Sequence, residues 1–92
     1  MAKPEEIVTD LLGSPSKVKI LALLCSNPKR EYSLGEIVKH TKLCFKTVST
    51  TIRIFKKYGI IRERRYGPAK LISINTQNPL AKKIIRLFEG ET

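Results

Sequence analysis

No apolar run in this 92-residue chain approaches the ~18 residues a membrane span needs, so no membrane association is expected. The opening residues, Met1-Ala2-Lys3-Pro4-Glu5-Glu6, have no positive start followed by an apolar stretch, so no secretory signal is expected and an intracellular location follows. Cysteine is scarce. Cys25 and Cys44 are too few for a disulfide-stapled scaffold, and neither belongs to a Cys-x-x-Cys pair. The parts of common catalytic sites are missing as well. There is no Ser/His/Asp set and no phosphate-cradling glycine loop, and the single histidine, His40, has no plausible carboxylate partner. Neither an enzyme nor a cofactor is expected. Internal repeats and low-complexity tracts are absent too, and the length allows one domain at most.

Acidic residues are scarce in one region in particular. Glu5, Glu6, Asp10, Glu89 and Glu91 lie near the two ends, leaving only Glu31, Glu36 and Glu63 between Ser14 and Phe88. That span holds seventeen Lys and Arg against those three acids, 17 − 3 = +14, within a whole-chain net charge of +10. A field of this sign attracts polyanions, of which nucleic acid is the commonest. A solubilising surface or a ribosome-associated role would carry the same charge.

The rest of the sequence is punctuated by turn chemistry. Residues 5–12 read as a short helix with Ile7, Val8, Leu11 and Leu12 on one stripe, ended by Gly13. Ser14-Pro15 opens a helix over 15–26 that is apolar on most sides and therefore central, stopped by Asn27-Pro28. A short extended stretch, Glu31-Tyr32-Ser33, leads into a capping box made by Ser33 and Glu36, which opens a helix over 34–40. Thr41-Lys42-Leu43 is the turn. Val48, Ile52 and Phe55 mark the inward face of the next helix, 44–58, ended by Gly59. The period then becomes strand-like, giving a hairpin over 60–74 with a basic tip around Gly67-Pro68. Asn78-Pro79 starts a last amphipathic helix over 79–89.

This order of helix, short strand, helix, tight turn, helix and hairpin predicts a mostly α, α+β fold: a winged helix-turn-helix with additional N- and C-terminal helices. Residues 16–88 resemble the winged-helix domains of ArsR/MarR-type transcriptional regulators, particularly small archaeal ones. The resemblance is carried by Ser-Lys-Val-Lys-Ile-Leu-Ala-Leu-Leu (16–24), Ser-Leu-Gly-Glu-Ile-Val (33–38), Lys-Thr-Val-Ser-Thr-Thr-Ile-Arg (46–53), Tyr-Gly-Ile-Ile (58–61) and the wing. No single piece is specific; the ordered set is. It implies that the helix over 44–58 enters the DNA major groove. With Val48, Ile52 and Phe55 turned inward, Lys46, Ser49, Thr50 and Arg53 lie on the opposite face, flanked by Phe45 and Thr47 at the helix start. Arg53 suits a bidentate contact to guanine, and Phe45 or a threonine methyl suits the thymine methyl. Lys56 and Lys57 suit phosphates. In the wing, Arg62, Arg64, Arg65 and Lys70 concentrate charge for backbone or minor-groove contact, with Tyr66 bracing the wing or stacking on sugar. The bland readings are a solvated helix face and arginine stems covering apolar surface.

The resembling regulators usually carry Gly where this chain has Lys42, and Ser or Thr at the cap position of Cys44. Lys42 must then adopt a costly left-handed conformation, or the turn must differ. A thiol at a helix N-terminus has a lowered pKa, which makes Cys44 a possible redox residue; the alternative is half-buried packing between two helices. His40, Cys44 and Cys25 form only a weak ligand pattern, and no metal is expected.

Both terminal helices carry apolar stripes that need a partner. Ile7, Val8, Leu11, Leu80, Ile84, Leu87 and Phe88 are therefore expected at a homodimer interface, as terminal helices form in the resembling proteins; packing within the same domain is the alternative. The expected function is that of a dimeric, sequence-specific regulator binding double-stranded DNA in the cytoplasm, at the nucleoid. A non-specific architectural or chromatin-type DNA-binding protein, or a winged-helix protein-protein module, is the competing reading.

Overall fold

The computed structural model describes residues 11–89. Within these residues four complete helices surround a three-stranded antiparallel sheet in the order α1 (Pro15–Ser26), β1 (Tyr32–Ser33), α2 (Leu34–Thr41), α3 (Phe45–Lys57), β2 (Ile61–Tyr66), β3 (Ala69–Ile74) and α4 (Pro79–Glu89). This is the winged helix-turn-helix, with β2 and β3 as the wing. Of the helix expected over 5–12, Leu11 and Leu12 are helical and the remainder, with Ile7 and Val8, lies outside the described residues. No helix among the described residues is long and apolar enough to cross a membrane.

Each helix begins at chemistry written in the sequence. The Ser14 hydroxyl accepts the Lys17 amide at 3.3 Å, and Pro15 occupies the first turn, where its missing N–H costs nothing. At α2 the box closes in both directions: the Glu36 amide donates to Ser33 Oγ at 3.1 Å, and the Ser33 amide donates to Glu36 Oε1 at 3.0 Å. Where α2 ends, Lys42 takes the left-handed conformation, φ 61° and ψ 24°, and its amide donates to the Val38 carbonyl at 2.8 Å. For a lysine this conformation costs about 1 kcal/mol that glycine would be spared. Thr41 helps hold it. The Thr41 hydroxyl donates to the Ile37 carbonyl at 2.7 Å and accepts the Leu43 amide at 3.4 Å.

The core forms where the helices meet the sheet. Ile20, Leu21 and Leu24 of α1, Ile37 of α2, Val48 and Phe55 of α3, and Tyr32, Ile60 and Ile72 are fully buried. β3 is the central strand. It pairs with β1 through Tyr32↔Ile72 and Ser33↔Leu71, and with β2 from Ile61↔Ile74 to Tyr66↔Ala69. The stretch before α2 thus becomes a third strand that anchors the wing.

Two asparagines tie the end of α3 to the start of α4. Gly59 ends α3 at φ 71°, and a Cβ there would lie 3.1 Å from Asn78 Nδ2. That amide donates to the carbonyls of Tyr58 and Gly59 at 3.2 and 3.0 Å, while Asn78 Oδ1 accepts the Leu80 and Ala81 amides at 2.8 and 3.2 Å. Asn75 adds its own amide to Ile60 O and its side chain to Gly59 O. Asn78 is therefore the cap of α4 and the clamp on α3 at once. Asn78→Ala removes both, and is expected to cost about 2 kcal/mol, the upper end for an N-cap, in urea unfolding. A loss under 0.5 kcal/mol, the usual range for surface changes, would refute the clamp.

The centre of α4 packs on α1. Ala81 and Ile84 are buried and Leu80, Ile85 and Phe88 half-buried against the core. This corrects the expectation for two interface residues. Leu11 and Ile84, at 2% and 5% exposure, are used within their own chain and have no face to offer a partner. Leu87 stands 53% exposed on the flank of the helix, two turns beyond Leu80 on the same side.

Candidate nucleic-acid interface

The surface of α3 follows from its periodicity. Val48, Thr51, Ile52 and Phe55 are buried, so the opposite side carries Lys46, Thr50, Arg53 and Lys57 as one exposed stripe along the axis. Phe45 is 58% exposed at the first turn. Thr47 and Ser49 sit half-buried on opposite flanks of this stripe, Ser49 towards the wing. Among the described residues Lys46, Thr50 and Arg53 have no side-chain partner, so the stripe presents donors not committed elsewhere. The helix projects these groups from a fully buried inner face, which keeps them in fixed relative positions.

The N-cap of α3 is Cys44, with no side-chain bond to the helix backbone of the usual capping kind. Its thiol is exposed and lies 3.0 Å from Thr47 Oγ1. The Thr47 hydroxyl against the sulfur, helped by the amides of the first turn that lie near it, holds the Cys44 pKa below the ordinary thiol value. Cys25 is its opposite. Burial in α1, with the Glu89 charge adding to it, pushes that thiol up to about 11. Half-buried packing of Cys44 is thus excluded by its exposure. The His40 ring meets Tyr32 edge-on at 6.1 Å, and no group of three or more metal-ligating side chains is assembled among the described residues.

The wing divides its cations between two faces, which sequence reasoning had placed together. Residues paired across β2 and β3 share a face, so Glu63, Arg65 and Lys70 point to the α3 side, and Arg62, Arg64 and Tyr66 to the other. On that outer face Arg64 is held by Glu31 in a bidentate pair, 2.8 Å from Nε and 2.6 Å from the terminal nitrogen. The guanidinium hydrogen bonds hold the Glu31 carboxyl below its ordinary pKa. Arg62 Nε donates to Asn75 Oδ1 at 3.1 Å. Arg64 also lies 5.8 Å from the ring of Tyr66, which is 70% exposed at the wing tip. Arg62 and Arg64 thus brace the base of the wing, and Arg65 and Lys70 are its cations on the α3 side. The arginine positions were visible in the sequence. Their division was not, because it depends on which strand residue pairs with which.

Between α3 and the wing lies a small hollow of about 120 Å³, lined by Ser49, Arg53, Lys56, Glu63 and Lys70. Glu63 is the residue that sequence reasoning missed here. Its carboxylate lies 3.2 Å from Lys56 Nζ and 3.6 Å from Lys70 Nζ. Partial burial works against its charge, but the Lys56 hydrogen bond and the charges of both lysines outweigh it and hold its pKa below the ordinary carboxylate value. One acid therefore restrains two phosphate-directed cations and ties the wing to the helix. Glu63→Gln releases both. The slope of log K against log salt for random-sequence duplex should steepen by ~0.9 for each lysine that gains a phosphate. An unchanged slope would show that Glu63 does not hold these lysines back from phosphate.

The comparisons with known proteins agree with this geometry. The family profile described as "Bacterial regulatory protein, arsR family" matches residues 14–63, more than half of the chain and the whole helix-turn-helix. The chain belongs to the ArsR family of transcriptional regulators, whose DNA-binding unit is this winged helix-turn-helix. Its fold is similar to that of the transcriptional repressor BigR from Xylella fastidiosa, with TM-score 0.76, 17% identity, and coverage of 94% of this chain and 80% of that one. The transcriptional repressor PagR of Bacillus anthracis aligns with TM-score 0.71 and 25% identity over 90% of this chain and 88% of its own. The homodimeric winged helix-turn-helix DNA-binding domain Mb0332 from Mycobacterium bovis, described as a possible ArsR-family regulator, aligns with TM-score 0.68 and 24% identity, covering 92% and 71%. Among curated proteins, none matches the chain by sequence.

Proposed function

We propose that this regulator acts as a homodimer on a sequence-specific, pseudo-palindromic site in double-stranded DNA, at the nucleoid of the cytoplasm. The observation that carries the reading is the exposed stripe of Lys46, Thr50, Arg53 and Lys57 on a helix whose other side is fully buried. Phe45, Lys46, Thr50 and Arg53 reach base edges in the major groove, with Ser49 and Thr47 at its margins. Lys56, Lys57, Arg65 and Lys70 meet phosphates. The wing tip carries Tyr66 to the sugar-phosphate backbone, and Arg62 and Arg64 support it from behind. The homodimeric state of the similar Mb0332 domain and the apolar flank of Leu80, Leu87 and Phe88 on α4 support a two-fold assembly.

Selection of bound sequences from a random DNA pool tests this reading. The expected product is a dyad of half-sites with centres about 10 base pairs apart. It should be bound at least ~10³-fold more tightly than random duplex at the same salt. A ratio near one would instead support an architectural, non-specific role.

Cys44 offers a chemical handle on the same surface, and we propose it as the redox-sensitive residue of the protein. At neutral pH the Cys44 thiolate is expected to displace iodide from iodoacetamide and be fully alkylated while Cys25 stays unmodified, as peptide mass spectrometry would read. The adduct sits beside Phe45 and Lys46, and affinity for the selected site should fall. Unchanged affinity after complete alkylation would remove Cys44 from both the interface and any redox role.

A further inference from the structure

The other flank of α3, away from the wing, faces the start of α1. There the two helices leave an open hollow of about 330 Å³, lined by Ser16, Lys17, Lys46, Thr50, Thr51 and Ile54. Its chemistry is one-sided. It combines two ammonium groups with five hydroxyls, of which Ser14 and Thr47 are engaged within the chain, and no carboxylate of the described residues lines it. The first turn of α1 adds a backbone donor. Pro15 has no N–H and Ser14 Oγ takes the Lys17 amide, so among the described residues the Ser16 amide is the one left over at the positive end of a 12-residue helix.

Thr51 shows that the hollow is more than a surface dip. It is only 4% exposed, yet its hydroxyl has no hydrogen-bond partner among the described residues. Every fully enclosed side-chain nitrogen or oxygen of the described residues is satisfied, so the little exposure Thr51 retains must include that hydroxyl, which opens into the hollow it lines. A near-buried hydroxyl without a partner is unfavourable, and valine would fill the same space. This oxygen therefore points to a ligand outside the chain.

We propose that the hollow seats a DNA phosphodiester, hydrogen-bonded by the Ser16 amide and the hydroxyls of Ser16 and Thr51 and drawn in by the field of Lys17 and Lys46, while the Lys46 and Thr50 side chains stay on the base-reading stripe at its edge. A helix lying in the ~12 Å major groove has one sugar-phosphate strand on each side. The exposed stripe of α3 runs between two basic hollows, with Arg53, Lys56 and Lys70 on the wing side and Lys17 and Lys46 on the α1 side. The wing takes one strand and the α1 hollow takes the other, which fixes the rotation of α3 about its own axis. The proposal rests on the DNA-binding reading above.

The test uses the full chain and a random-sequence duplex of about three turns, followed by fluorescence anisotropy at stepped salt. The double variant Ser16→Ala, Thr51→Val removes two hydroxyls and no charge. It should lose about tenfold in affinity, as for lost hydrogen bonds to a charged group, while melting no lower than the parent. Lys17→Gln should reduce the salt slope by ~0.9 for each protomer bound. Arg53→Ala and Lys70→Gln serve as wing-side references. If these two weaken binding and the α1-side variants do not, the phosphate seat is wrong and the DNA reading stands. If the parent protein binds no duplex, both fall. Saturable binding of inorganic phosphate, read from the Ser16 and Thr51 amide resonances, together with parent-like duplex affinity of the double variant would assign the hollow to a small anion and overturn the proposal.

Discussion

Leu87→Glu is expected to convert the dimer to a monomer and to lower affinity for a two-half-site duplex by about 10²- to 10⁴-fold. The position separates assembly from folding. Leu87 is 53% exposed on α4, whereas Ala81 and Ile84 on the same helix are buried in the chain's own core. A two-fold axis places the same patch on both chains, so one substitution puts two carboxylates into a single apolar contact. Folding of the chain should change by no more than about 1 kcal/mol, because half of Leu87 is already exposed in the protomer. The affinity loss has a geometric origin. With two linked helices the second half-site is engaged at high effective concentration, and a monomer forfeits that term entirely. Light scattering on the eluting protein and anisotropy on the same duplex read the two effects separately. A dimer that survives Leu87→Glu would move the interface away from this flank of α4. Ile84→Glu would be a poor substitute, since it would unfold the core and remove DNA binding for an uninformative reason.

Leu11 and Ile84 show where sequence pattern stops being informative. An amphipathic stripe says that one face of a helix is covered, and says nothing of whether its own chain or another does the covering. Residues 79–89 carry more apolar side chains than a minimal face requires, which is why the whole stripe reads as an interface. In the fold, α1 takes the centre of that stripe and leaves Leu80, Leu87 and Phe88 at its margin. Local signals behave differently. The Ser33 and Glu36 box and the stop at Gly59 each depend on atoms within a few residues of one another. Each is visible in the sequence and present in the fold. The candidate site divides along the same line. The exposed face of α3 is a local property of one helix and is legible from Val48, Ile52 and Phe55 alone. The pairing of Arg64 with Glu31 spans 33 residues, and the gathering of Lys56, Glu63 and Lys70 requires the strand register and the packing of β2 on α3. Charge counting, which placed seventeen cations in the central span, could not say that several of them are restrained by the span's three acids.

That distinction bears on Arg53, whose substitution should have the largest effect on sequence choice. Among the described residues its guanidinium has no ion-pair or hydrogen-bond partner, while Arg62 and Arg64 are engaged and Lys56 is paired with Glu63. It stands on the exposed stripe, at the edge of the hollow facing the wing. An uncommitted planar fork in this position suits the O6 and N7 pair of guanine. Arg53→Ala should therefore cost about 1–3 kcal/mol at one base pair of each half-site. Twice that figure for a dimer means that affinity for the selected sequence falls by about 30-fold to 10⁴-fold. Random duplex, where no guanine is registered with the fork, should lose only the contribution of one charge per chain. Arg53→Lys divides the two contributions further. It keeps the charge and the salt slope but loses the bidentate geometry, so it should behave like the parent on random duplex and like the alanine variant on the selected site. Equal losses on both duplexes would make Arg53 a phosphate contact and transfer base reading to Lys46, Thr50 and Phe45.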